Sequence, residues 1–163
     1  MIRSLLPSDF DDILKVINDA AHAYKGIIPD DRWKEPYMSS AELKKEIESG
    51  VRFFGWTEGE HLLGVTGIQA IKDVTLLRHA YVLPGCQRKG IGTGLLKYLL
   101  RLANAPEILV GTWLDATWAI RFYEKHGFKL MSSRKKDTLL RTYWKIPDRQ
   151  IETSVVLRLI RSH

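Results

Sequence analysis

The chain has 163 residues, 45% of them hydrophobic, one cysteine and a formal net charge of +6. That length suits a single domain with a sizeable core and leaves no room for a second catalytic one, and the composition is that of a soluble globular fold. A lone cysteine excludes an internal disulfide, no apolar run is long enough to span a bilayer, and Met1 to Leu6 running into Pro7, Asp9, Asp11 and Asp12 is no secretory signal, so a cytoplasmic protein is expected.

Met1 to Leu6 reads as a short first strand. Ser8, with Asp11 three residues on, is expected to cap a helix whose apolar face is Phe10, Ile13, Leu14, Ile17, Ala21 and Tyr24. A loop from Lys25 to Met38, broken by Pro29 and Pro36, carries Asp30, Asp31 and Glu35 beside Trp33 and Tyr37. That set suits either the attraction of a cationic acceptor or a plain surface connector. Ser39 and Glu42 then open a second helix that Gly50 closes. Val51 to Thr57, His61 to Ile71 and Val74 to Val82 read as three consecutive strands, with hairpin turns at 58–60 and 72–73 making them antiparallel neighbours.

Between Gln87 and Gly94 the chain reads Gln-Arg-Lys-Gly-Ile-Gly-Thr-Gly, after an apolar run ending Tyr81-Val82-Leu83-Pro84 and before a helical stripe from Leu95 to Leu100. A glycine-rich turn from strand to helix exposes unpaired backbone N–H groups at a positive helix end, which is what a pyrophosphate needs. Two better-known phosphate loops fail on the letters. A dinucleotide fingerprint needs glycine at position 95, where Leu95 stands, and a Walker loop needs Lys and Ser/Thr after Gly90, where Ile91 and Gly92 stand. The competing account of these glycines is close packing at a turn. Cys86, beside them, reads as an incidental loop thiol.

Ile108 to Trp113 is a short buried-strand pattern, and the helix before it makes a crossover that sets this strand parallel to the one preceding the glycine turn. Asp115 or Thr117 is expected to cap a helix carrying Ala119, Phe122, Tyr123 and His126 on one face. Gly127 ends it as a left-handed cap, and Phe128 to Met131 resumes as strand. From Ser132 to Glu152 the pattern is least regular: Thr138 to Trp144 reads as helix turn or strand, and Tyr143 and Trp144 either wall an acceptor pocket or fill a satellite core. Thr153 to Ile160 is expected as a final edge strand. The fold class is α/β of the α+β type, a mixed, mostly antiparallel sheet of six to seven strands with helices on both faces.

The basic residues are scattered, with Arg134-Lys135-Lys136 the longest run, so a solvated face accounts for the charge better than a nucleic-acid surface. His22, His61, His79, His126 and His163 are too dispersed for ligand spacing, and no metal is expected.

Tyr81 to Pro84 with Gln87 to Gly92, followed by Ala119-Ile120-Arg121-Phe122-Tyr123-Glu124-Lys125-His126-Gly127-Phe128, resemble the acyl-CoA segment and the next segment of the GNAT superfamily of acetyl-CoA-dependent N-acetyltransferases. The resemblance runs from the first strand to at least Met131; Ala116 departs from it, standing where the family often has asparagine. It implies one GNAT-like domain over residues 1–163, acetyl-CoA as cosubstrate, no metal, and direct transfer in a ternary complex. The acceptor implied is the primary amine of a small molecule or peptide N-terminus. Membrane and nucleic-acid partners are not expected, and a homodimer is left open. The two alternatives are a non-catalytic acyl-CoA-binding module and an acyltransferase acting on an RNA-linked amine.

Acyl transfer from a thioester to an amine needs a deprotonated amine, donors for the oxyanion and a proton for the departing thiolate. The resemblance assigns Val82 and Leu83 to the pantetheine arm and acyl oxygen. It assigns Gln87, Arg88, Lys89, Gly90, Ile91, Gly92 and Thr93 to the pyrophosphate, the two glycines letting the backbone approach. Tyr123 is the expected general acid, a phenol with a reference pKa of about 10. His79, on the cofactor strand, is the candidate acceptor of the amine's proton, or else a strand histidine hydrogen-bonded in the sheet. Asp115 is a second candidate base, or else a helix cap; a water relay needs neither.

Overall fold

The computed structural model describes residues 1–87 and 89–161. Seven strands form one sheet in the order β1-β2-β3-β4-β5-β7-β6, and the residues divide into two compact units. The first holds Met1–Ala23, Lys34–Gln69 and Leu77–Asn104; the second holds Tyr24–Trp33, Ala70–Leu76 and Ala105–His163. Arg88, expected in the phosphate loop, and His163 lie outside the described residues. Among the described residues no helix is long and apolar enough to cross a membrane.

In the first unit, β1 (Ile2–Ser4) pairs antiparallel with β2 (Arg52–Glu58), Ile2 opposite Trp56 and Ser4 opposite Phe54. β2 in turn pairs antiparallel with β3 (His61–Ile71), from Arg52 opposite Ile68 to Glu58 opposite His61. Helix α1 (Phe10–Ala21) buries Ile13, Val16, Ile17, Ala20 and Ala21, the spacing that puts one stripe against a core. Those side chains pack with Met38, Leu43, Val51, Phe53, Leu62 and Val65 into one cluster.

The start of α1 is not the capped helix the sequence suggests. Pro7–Asp9 forms a turn of 3-10 helix, Ser8 caps nothing, and the carboxylate of Asp9 accepts from the Leu6 N–H at 2.7 Å. The same carboxylate takes both guanidinium nitrogens of Arg3 at 2.9 Å; these contacts with Arg3 and Leu6 hold its pKa down to about 2. Proline at the first position fixes the tighter turn, and Asp9 supplies the acceptor that Ser8 was expected to give.

Helix α2 (Ser40–Glu48) begins as the sequence indicates, the Ser39 hydroxyl accepting from the Glu42 N–H and the Glu42 carboxylate from the Ser39 N–H. It stops at Gly50, φ 106°, where the Gly50 N–H donates to the Ile47 carbonyl and the Val51 N–H to that of Glu46, both at 3.1 Å. β4 (Val74–Val82) is fully buried through Leu77 and half-open from Arg78 onward. Helix α3 (Ile91–Leu102) buries Ile91, Leu95, Leu96 and Leu99. It sits close to β2: a Cβ on Gly94 would lie 2.8 Å from Cζ3 of Trp56, so only glycine fits there.

In the second unit, β5 (Glu107–Trp113) follows β4 in the sheet order and pairs antiparallel with β7 (Ser154–Ile160), Trp113 opposite Ser154. β6 (Lys129–Leu130) pairs with the other side of β7. The expectation that the last strand forms the sheet edge is therefore corrected. Residues 154–157 are all buried, the mark of a strand covered on both faces, and the edge falls to the two-residue β6.

Helix α4 (Thr117–Lys125) has Ala116 at its N-cap with no side-chain cap, so neither Asp115 nor Thr117 serves as expected. Its end does follow the sequence: Gly127, φ 92°, and Phe128 donate back to Glu124 and Tyr123, both at 3.1 Å. The irregular stretch becomes α5 (Ser133–Tyr143), capped by the Ser132 hydroxyl, and the short α6 (Asp148–Glu152). The Lys136 ammonium, buried between them, donates to the Ile151 carbonyl at 2.8 Å and pairs with Asp137 at 2.8 Å. Leu140 and Ile151 join Val74, Leu76, Leu109 and Val156 in this unit's core.

Candidate active site

β4 ends at Val82, and the next residue stays tied to the sheet, the Leu83 N–H donating to the Leu63 carbonyl at 2.9 Å. The chain then reverses, the Cys86 N–H reaching the Leu83 carbonyl at 3.0 Å. Gln87, Lys89 and Gly90 are exposed, and Gly92 and Thr93 are half-buried. Gly90 is the N-cap of α3 and sits in the left-handed region at φ 79°, and no side chain caps the helix. A Cβ there would meet nothing within 4 Å. The glycine thus serves backbone conformation, which would cost an L-residue about 1–2 kcal/mol, and keeps the approach to the amides open.

Helix geometry leaves the N–H groups of Ile91, Gly92 and Thr93 without intrahelical acceptors at the positive end of α3. The Ile91 side chain is buried, so only its amide is available to a ligand. Open space at Gly90, uncapped donors and an exposed lysine, Lys89, next to it in the chain fit a diphosphate.

His79, also in the first unit, has φ 57°, rare for a residue with a side chain and a sign of local strain on β4. Its ring stacks on Phe53 at 6.0 Å. Nε2 faces Glu46 Oε1 at 3.4 Å, inside ion-pairing range but long for a hydrogen bond, and that nitrogen is shut off from solvent. Burial depresses the His79 pKa, partly countered by Glu46, with Arg78 adding to the depression. The imidazole is therefore neutral at physiological pH and able to accept a proton.

Glu46 on α2 was not legible as a site residue. Arg78 NH1 lies 3.1 Å from its Oε2 and NH2 3.2 Å from its Oε1. Burial pulls the Glu46 pKa up, but His79 and Arg78 outweigh it and hold it below the ordinary value. Arg78 also donates to Gln69 Oε1 at 3.2 Å, and Gln69 to the Ser49 carbonyl at 3.0 Å. The group is assembled from α2, β3 and β4, and no spacing in the sequence announces it.

Tyr123 belongs to the second unit, on α4. Its ring is buried, edge-on to Phe122 at 5.1 Å and to Phe128 at 5.4 Å. Burial, with a smaller effect from the Tyr24 phenol, pushes its pKa up. The hydroxyl accordingly keeps its proton across the physiological range.

Of the other candidates, Asp31 and Tyr143 have structural partners and Asp115 does not serve as the cap expected of it. Asp115 is exposed and caps no helix. Asp31, in the first long loop, is held by Arg149 at 2.9 and 3.2 Å. The Tyr143 hydroxyl donates to Asp73 at 2.8 Å, and Tyr143 and Trp144 pack against the second unit's core, which favours the satellite-core reading over an acceptor wall.

Residues 14–128 match the model of the acetyltransferase (GNAT) family. No curated protein sequence matches the chain. Among solved structures, the fold is similar to that of the PaiA N-acetyltransferase from Thermoplasma acidophilum in complex with coenzyme A, at 20% identity and a TM-score of 0.75 over 98% of both chains. A GNAT-family acetyltransferase from Staphylococcus aureus Mu50 is 17% identical, with a TM-score of 0.75 over 99% of both. The ribosomal-protein-S18-alanine N-acetyltransferase from Escherichia coli is 17% identical, with a TM-score of 0.69 over 100% of this chain and 94% of its own. The family model spans well over half of the sequence, from α1 through the glycine turn to the Tyr123 helix, and the chain belongs to the acetyltransferase (GNAT) family.

Proposed function

We propose that this protein is an N-acetyltransferase that moves the acetyl group of acetyl-CoA to the primary amine of a small molecule or peptide N-terminus, by direct transfer in a ternary complex. The observation that carries the reading is the helix start at Gly90, left-handed, uncapped and open to solvent, in a chain of this family. The coenzyme A bound by the Thermoplasma protein and the alanine acceptor named for the Escherichia coli one support the cosubstrate and the acceptor class.

The residue roles follow from the chemistry. Acetyl-CoA supplies an activated thioester. The amides of Ile91, Gly92 and Thr93, with Lys89 and Gln87 beside them in the chain, bind its diphosphate, and Arg88 is assigned to the same anion from the sequence alone. The backbone of Val82 holds the pantetheine arm and the acyl oxygen; Leu83, expected to share that task, is already engaged, its N–H by the Leu63 carbonyl and its carbonyl by the Cys86 N–H. His79, neutral at working pH, takes a proton from the acceptor. Tyr123, its phenol protonated, returns one to the departing thiolate. The whole chain acts as one transferase domain in the cytoplasm.

Two measurements test this. Thermal melting with acetyl-CoA at a hundredfold excess over Kd should show a gain of about 2.7 kcal/mol, because the ligand binds only the folded chain. A panel of amines read by thiol release should then show turnover. Binding without turnover on any amine would leave the non-catalytic module as the correct reading, and no binding at all would sink both.

A further inference from the structure

We propose that Glu46 is a positioning residue for proton transfer: its carboxylate holds the His79 ring as the Nε2–H tautomer, so that Nδ1 is the atom that takes the proton from the incoming amine. The inference rests on the transferase reading above and adds a residue and an atom to it.

The support is geometric. Nε2 is enclosed and faces Glu46 Oε1 at 3.4 Å. A lone pair pointing at a carboxylate is repelled, whereas an N–H is attracted, so the neutral ring carries its hydrogen on Nε2 and its basic lone pair on Nδ1. The His79 side chain is 15% exposed, and because Nε2 is out of solvent's reach, that exposure belongs to the rest of the side chain. Phe53 stacks against the ring, and φ 57° on β4 fixes where the side chain leaves the strand. Strain of that kind persists where the surroundings over-determine it, as at working sites.

The carboxylate is itself held. Arg78 grips both its oxygens, and Gln69 braces Arg78 from β3. The charged groups that bear on His79 are Glu46 and Glu42 from α2 and Arg78 from its own strand; Glu42 is paired with Lys34 and contributes least. Arg78 keeps Glu46 ionised and stops the carboxylate from leaving the imidazole permanently protonated. In the transfer step an N–H bond of the acceptor ammonium breaks, its electron pair stays on that nitrogen as the nucleophilic lone pair, and the proton bonds to Nδ1. The imidazolium so formed keeps its Nε2–H toward Glu46, and its Nδ1 proton is later lost to water.

The test uses the full chain labelled with nitrogen-15 histidine, the His79 signals being assigned from their loss in His79→Asn. The expected neutral ring in the wild type is the Nε2–H tautomer. Glu46→Gln should yield a tautomer mixture and, with Arg78 then unopposed, a lower His79 pKa. The acidic limb of kcat/KM should move to lower pH while its plateau falls about 10-fold or more and KM for acetyl-CoA holds. Glu46→Asp should recover part of the loss. An Nδ1–H tautomer in the wild type overturns the proposal whatever the variants do, as does a Glu46→Gln protein with unchanged tautomer and pH profile. A wild type that acetylates no amine sinks the transferase reading and the proton transfer with it, a failure that the nitrogen spectra tell apart from a wrong tautomer.

Discussion

The Tyr123 phenol is buried and its pKa is raised, so its proton is kept wherever the enzyme works. A group of that kind can donate but cannot serve as a base, which suits the donor's part proposed for it. Tyr123→Phe should lower kcat by about 10²-fold or more while leaving acetyl-CoA affinity, measured by calorimetry, nearly intact. No loss of activity from its ionisation should appear below about pH 10, because a raised pKa moves that limb upward from the ordinary tyrosine value. Equal loss of turnover and affinity would assign the residue to packing against Phe122 and Phe128. At this scale the sequence was half legible. Tyr123 and His79 stood out because one lies in a motif and the other on the strand that leads into it. Glu46 did not, being brought to His79 by the packing of α2 against the sheet across 32 intervening positions of chain.

Among the elements, the start of α3 is the one whose chemistry depends on backbone. Gly90→Ala should cost about 1–2 kcal/mol of stability in denaturant titration, since alanine must hold φ 79° although nothing obstructs its Cβ. It should also weaken acetyl-CoA. Gly92→Val, inside the helix and absent from the left-handed positions, should weaken acetyl-CoA without that backbone cost. Normal affinity in both variants would remove the cradle from Gly90 and Gly92. Strands β2 to β4 were readable because apolar runs are punctuated by turn residues, and α2 because Ser39 and Glu42 form a reciprocal cap. Helix α5 was not. Its only buried side chains are Lys136 and Leu140, so a polar surface with Thr-Leu-Leu-Arg-Thr-Tyr hid the helical period, and Ser132 was the sole terminal signal. The caps at Ser8, Asp115 and Thr117 misled because capping residues are common in loops and choose their acceptors only once the turn is set.

For the molecule as a whole, β4 contributes residues to both compact units, and the family match draws on both. We therefore expect residues 1–163 to unfold as one domain. Scanning calorimetry should show a single transition that acetyl-CoA moves upward intact; two transitions, one of them indifferent to the ligand, would show that the units fold separately. The sheet order, with β5 following β4, was foreseeable from the crossover. The inner place of β7 was not, because nothing in a run of valine and leucine reveals which neighbour will flank it.

With β7 inside, the outer margin beyond it is only Lys129 and Leu130. An edge strand two residues long, one of them a lysine, is a poor template for a foreign strand to latch onto. Concentrated solutions of this protein should accordingly resist fibril growth from that side of the sheet.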